Sequence, residues 1–182
     1  MALKEWASVC AALATGRQTL LIRKGGIAEG EHGFQLDRPE FWLYPTQFHQ
    51  DSSQLTAEGA QLLATLEPPA AGRVVIDLYA VVEHVAFLSD LDALESLADL
   101  HVLSPDSVRK RFEYRRPGVF AAAVRMYRNA TPVELTEEPR FAGCRSWVEL
   151  NGALPAAGLR PVVEESRIAE TFRRLQAMAP LD

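Results

Sequence analysis

RVVIDLYAVV, residues 73–82, decides the fold. Val, Ile and Tyr fill it, the residue types that pack well on a pleated surface, so the run reads as a strand. Upstream, EPPAAG at 67–72 reads as a linker. Downstream, DLDALESLADL at 90–100 reads as a helix with Leu91, Leu94 and Leu97 on one face. Ser104-Pro105 then supplies an N-cap and a first-turn proline for a helix over DSVRKRFEY. GVFAAAVRMYR at 118–128 is a second strand with small residues inside, and ATPVEL and RSWVEL follow as shorter strands. EESRIAETFRRLQAM at 164–178 closes the chain as a helix, its inner stripe Ile168, Phe172, Leu175 and Met178.

The N-terminal side is read the same way. Leu3, Trp6, Cys10 and Leu13 recur every three or four residues, which predicts a helix over 2–15 that stops at Gly16. QTLLIR predicts a strand, GGIAEGEHG a loop, and FQLDRPEFWLY one or two strands around Arg38-Pro39. LTAEGAQLLATL at 55–66 predicts a helix. Strands that suit hairpins, mixed with irregularly placed helices, predict an α+β fold with a curved, mixed or mostly antiparallel sheet. Residues 16–23, 73–82 and 118–128 should share that sheet. We expect one domain over 1–182, with the 164–178 helix packed on it.

With 182 residues, 48% of them hydrophobic, the chain is long enough to bury about two-thirds of its unfolded surface. No apolar run approaches the ~20 residues of a membrane-spanning helix. MALKEWASVCAAL carries Lys4 and Glu5 inside an amphipathic pattern and does not read as a signal peptide. Cys10 and Cys144 give neither a disulfide framework nor metal spacing, so both are expected to be buried thiols in a cytoplasmic protein. A net charge of -5 argues against a generic nucleic-acid coat but permits a local basic surface.

Three stretches carry candidate chemistry. In an unbroken strand, Arg17, Thr19, Leu21 and Arg23 share a face, and two arginines flanking a threonine suit a phosphate. With Lys24 they form the first basic stretch; a half-exposed strand with a polar outer face explains the same pattern. Residues 105–128 hold Arg109, Lys110, Arg111, Arg115, Arg116, Arg125 and Arg128 against Asp106 and Glu113, with Phe112, Tyr114 and Tyr127 interleaved. That mixture suits phosphate contacts and base stacking. The alternative is that these cations pair with the acidic segment from Asp90 to Asp99. LYPTQFHQD, residues 43–51, offers Tyr44, Gln47 and His49 as pocket residues on a loop after a strand.

Metal and hydrolase signals are poor. Asp77, Glu83, His84 and His101 would need the fold to gather them. None of the three lysines completes the Glu-x-Lys of a metal-dependent nuclease, and arginine in Glu113-Tyr114-Arg115 does not give up a proton. There is no G-x-S-x-G. We therefore expect no metal, no cofactor and no catalytic residue.

ALKEWA, LLIRKGGI and LYPTQFHQ together resemble a bacterial domain-of-unknown-function family over most of the chain. Some of its members are associated with restriction-endonuclease modules, which implies a DNA-defence setting and such a partner. GRQTLLIR is also similar to the opening of ASCH domains, of the PUA-like β-barrel superfamily, with Gly16, Arg17, Thr19 and Arg23 at the matching positions. The strand–helix–strand order follows to about residue 135. That resemblance implies a barrel that binds RNA or a modified base. Gln18 stands where hydrolytic members carry lysine and Leu21 where they carry threonine, so binding is implied more than hydrolysis. In such a barrel the Gly25-Gly26 turn would let a ligand backbone approach.

The expectation is thus a nucleic-acid or modified-base binding domain. Arg17, Thr19, Arg23, Lys24, Arg109, Lys110, Arg111, Arg115 and Arg116 would contact nucleic acid; Tyr44, Gln47 and His49 would line the pocket. The rivals are an enzyme acting on a nucleotide or nucleic acid, with His49 or Glu83 as acid or base, and a protein-interaction module using 109–116.

Overall fold

The computed structural model describes residues 1–25, 39–141, 143 and 146–178. The start of FQLDRPEFWLY, most of the GGIAEGEHG loop with Gly26, and Cys144 lie outside the described residues. The strands are β1 (Ala2–Trp6), β2 (Leu20–Arg23), β3 (Glu40–Thr46), β4 (Arg73–Leu88), β5 (Val119–Thr136), β6 (Trp147–Val148) and β7 (Arg160–Pro161). The helices are α1 (Ala7–Ala14), α2 (Ala57–Thr65), α3 (Leu91–Glu95), α4 (Pro105–Glu113) and α5 (Glu165–Gln176). The seven strands among the described residues form one sheet in the order β2-β5-β4-β3-β1-β6, with β7 also on β5. Every pair is antiparallel except β1 with β3. The protein is therefore α+β with a mixed, mostly antiparallel sheet and a C-terminal helix.

The long β4–β5 ladder is the backbone of the sheet, from Arg73 opposite Thr136 to Leu88 opposite Val119. Its register breaks at Asp77 and at Glu83. An extra residue on one strand bends it and raises the local twist. The result is a sheet whose β2 edge comes round to face β1. Arg23, the last residue of β2, donates to the Lys4 carbonyl at 2.9 Å and to Glu5 Oε2 at 2.9 Å. Side chains rather than a backbone ladder span this seam among the described residues, so the expected barrel is not closed.

Four local readings need correction. Residues 2–6 are a strand, not the first turn of a helix. A three-to-four spacing of apolar residues also fits a short buried strand leading into a helix, and pairing of Ala2–Trp6 with Trp42–Thr46 decides between them. Arg17 is outside β2: Gly16 takes a left-handed φ of 70°, and the Arg17 and Gln18 amides still donate to Ala12 O at 2.9 and 3.2 Å. Arg17 and Arg23 therefore share no strand face. The 90–100 helix breaks after Glu95, and a 3-10 turn follows at Ala98–Leu100. ATPVEL continues β5 instead of forming its own strand.

The main core lies among α1, β2, the middle of β5 and the 94–112 segment, including Leu13, Leu20, Leu97, Val108 and Val124. A smaller cluster around Trp42, Tyr44, Ile76 and Phe141 fills the other end. α5 docks on β4 and β5 through Ile168, Thr171 and Leu175. α4 begins as expected, with Ser104 Oγ accepting from Ser107 N at 3.3 Å and Pro105 in the first turn.

Candidate functional site

The ends of β1, β2 and β3, the C-terminal end of α4 and the turn at 114–118 converge on one cleft of about 1100 Å³. Among the described residues six cations and two carboxylates line it, in a chain whose net charge is -5. The cations divide by their partners. Lys4 donates to the carbonyls of Phe141 and Gly143. Lys24 donates to three carbonyls, Phe112 O at 2.9 Å, Gly118 O at 2.6 Å and Arg116 O. An ammonium has three protons, so Lys24 is satisfied within the protein, and its burial lowers its pKa. It braces the turn; it does not point a free charge at a ligand.

Arg23 and Glu5 form a buried pair on the cleft floor, their side chains 14% and 3% exposed. Glu5 Oε1 also accepts from Trp6 N at 2.9 Å, and Arg23 reaches Ser146 Oγ at 3.1 Å. Arg111 lies beside them. Its guanidinium stacks on the Trp6 indole at 4.6 Å and donates to Ile22 O at 2.9 Å. Burial pushes its pKa down, Glu5 opposes that shift, and Arg23 adds to it. Arginine nonetheless stays charged. Arg115 and Arg116 stand exposed on the rim, with Arg115 over the Tyr114 ring at 5.1 Å. Among the described residues Arg111, Arg115 and Arg116 make no ion pair with a carboxylate.

The cleft collects two further kinds of unusual residue. Phe48, Phe87 and Tyr114 are the large hydrophobic side chains exposed among the described residues, at 59%, 47% and 55%, and all three line it. His49 (φ 59°) and Arg115 (φ 63°) are the described non-glycine residues in the left-handed region, and both line it too. That conformation costs roughly 1–3 kcal/mol per residue and concentrates at functional sites. The His49 ring lies tilted against that of Phe48, with ring centroids 3.9 Å apart.

Several sequence candidates fall elsewhere. Arg17 pairs with Glu58, Arg109 with Glu95 at 2.9 Å, and Lys110 with Asp106 at 2.7 Å, all at exposed positions outside the cleft. The Arg109 pair is the one that meets the acidic segment. Thr19 is buried, its hydroxyl 2.6 Å from that of Thr171. Tyr44 is in the core, not the pocket; its hydroxyl donates to Glu137 Oε1 at 3.3 Å, and burial with the Glu137 charge pushes its pKa up to about 12. Gln47 lines a second cleft of about 630 Å³ between α1 and residues 66–78. Of the rival acid–base groups, Glu83 is held by Arg125 at 2.6 Å, away from His49. No three metal-ligating side chains come together among the described residues.

Sequence reasoning missed Glu5, Trp6 and Phe87. The first two were hidden by reading 2–6 as helix, which gives no reason to bring them to Arg23 and Arg111. Phe48 was within the quoted 43–51 loop, and exposure of an aromatic beside His49 was the signal available there.

These features define an α+β protein with an open, curled sheet and a basic cleft rimmed by aromatic side chains. The chain belongs to the family described as Domain of unknown function (DUF1802), which matches residues 2–174. Among solved structures it is similar to an ASCH protein from Zymomonas mobilis, at 14% identity over 94% of this chain and 92% of that one, with a TM-score of 0.45. Two single-substitution variants of that protein match at 14% identity, over 94% of this chain and 93% and 95% of theirs, with TM-scores of 0.44 and 0.43. No curated protein matches the chain. No helix among the described residues is long and apolar enough to cross a membrane.

Proposed function

We propose that the protein binds single-stranded nucleic acid, or a nucleotide with an unpaired base, in the basic cleft. One observation carries the reading: the exposed aromatics Phe48, Phe87 and Tyr114 line the same cleft as Arg111, Arg115 and Arg116. An exposed ring offers an unpaired base a stacking platform, and a nearby guanidinium offers its phosphate two parallel hydrogen bonds. A duplex hides its base faces and gains little from such rings. The same reading takes the chain as one domain working in the cytoplasm, with a restriction-endonuclease partner as its family resemblance implies.

The test is fluorescence anisotropy with one labelled sequence, single-stranded and annealed. Single strand should bind more tightly, and Tyr114→Ala and Phe48→Ala should each weaken it by about 1–3 kcal/mol. Equal binding of both forms, with both alanine variants at wild-type affinity, would contradict the reading.

A further inference from the structure

We propose that the floor of this cleft is a subsite for a terminal phosphomonoester, so that it holds a strand end or a free nucleotide instead of an internal stretch of chain. The inference rests on the nucleic-acid reading and narrows it. Arg111 is the key residue. Arg111 is half-buried, with one face of its guanidinium on Trp6 and one N–H on Ile22 O. A partly desolvated guanidinium gains from a partner for its remaining donors, and an anion is the matching group. Arg23 does not take that role, because Glu5 already neutralises it. Among the described residues the floor therefore holds two guanidiniums against one carboxylate, leaving one positive charge without a protein counter-ion.

Position favours an end over a diester. The chain from Arg111 to Arg116 climbs towards the rim: Arg111 is half-buried, Tyr114 is 55% exposed, and Arg115 and Arg116 are exposed. A ligand entering along this path meets the rim arginines, then the aromatic ring, then Arg111. A terminal phosphate can lead a strand inward, with its first base on Tyr114 and its next phosphates at Arg115 and Arg116. Charge adds to this: a monoester approaches two negative charges at neutral pH and offers three acceptor oxygens. A diester carries one charge and two such oxygens.

The experiment uses the full chain and one short oligonucleotide carrying a 5′-phosphate, a 3′-phosphate or hydroxyls at both ends, with the label placed internally. One phosphorylated end should bind roughly tenfold or more tightly than the hydroxyl form, the size of one charge-assisted hydrogen-bonded contact. Arg111→Gln should abolish that gain, bringing the phosphorylated and hydroxyl-ended forms to one affinity. Lowering the pH below about 6, where the monoester takes up a proton, should shrink the gain in wild type. Competition by a nucleoside monophosphate separates the sources: displacement as strong as by the oligonucleotide names a free nucleotide, and much weaker displacement names a strand end. Should Arg111→Gln fail to fold, Arg111→Lys, which keeps the charge but loses the fork, should lose part of the gain. Equal binding of all three ends by wild type overturns the subsite while leaving the nucleic-acid reading intact. No binding of any oligonucleotide or nucleotide overturns both.

Discussion

His101 shows what burial does to one residue in this fold. The imidazole is 6% exposed, and its Nδ1 accepts from Leu103 N at 3.2 Å. The proton of the neutral ring therefore sits on Nε2, which has no partner among the described residues. Burial, with the nearby Arg111 charge adding to it, lowers the pKa to about 4. The unfolded chain binds this proton near pH 6.5, the folded chain only near pH 4, so stability is full above the first value and falls as pH drops through the interval. The loss between pH 7 and pH 5 should be about 2 kcal/mol. Urea unfolding at the two pH values, for wild type and His101→Gln, measures it. The variant should lose most of that pH dependence; identical dependence in both would contradict the assignment. At this scale the sequence is a poor guide. Tyr44 was legible as part of an interesting loop, but nothing local says that its ring enters the core. Lys24 was legible as a cation, but the three carbonyls that take its protons come from residues about ninety positions away.

Elements explain why the rim holds its shape. The turn after α4 has Arg115 in the left-handed region and Gly118 at a φ of 114°, where Phe87 and the Leu88 carbonyl leave no room for a Cβ. Lys24, just past the end of β2, ties this turn to the sheet through three carbonyls. Lys24→Met should therefore speed hydrogen exchange at the Tyr114, Arg116 and Gly118 amides by roughly tenfold or more, with no ligand present. Unchanged exchange would show that Lys24 does not brace the turn. The element-level reading of the sequence succeeded where local signals agree. Residues 73–82 and 118–128 are rich in branched and small apolar residues and lie, Gly118 apart, in the two long strands; Ser104-Pro105 caps α4. It failed at β1, where an apolar spacing compatible with helix is overridden by pairing with β3, a partner some forty residues distant. It also failed to join ATPVEL to β5, because the proline at 132 reads as a break, whereas the strand passes it at an irregular stretch of the ladder between Arg128 and Val133.

The whole molecule sets charge against location. A chain of net charge -5 repels a polyanion at long range, so binding must come from the cleft, where Arg111, Arg115 and Arg116 stand without carboxylate partners among the described residues. The sequence showed both basic stretches; it could not show that only parts of each meet. Arg17, Arg109 and Lys110 were as promising as Arg23 and Arg111 until strand pairing and helix phase separated them. Arg23 is a poor probe of binding, since its removal would strand the buried Glu5 carboxylate at a cost of about 3–5 kcal/mol. The rim arginines are better. The most direct measurement is the affinity of wild type and the Arg115→Gln/Arg116→Gln double variant for one single-stranded oligonucleotide at several salt concentrations. Each phosphate contact on a single strand contributes about 0.7 to the slope of log affinity against log salt. The double variant should bind more weakly with a slope shallower by about 1.4. Equal slopes, or no binding by wild type at low salt, would contradict the account.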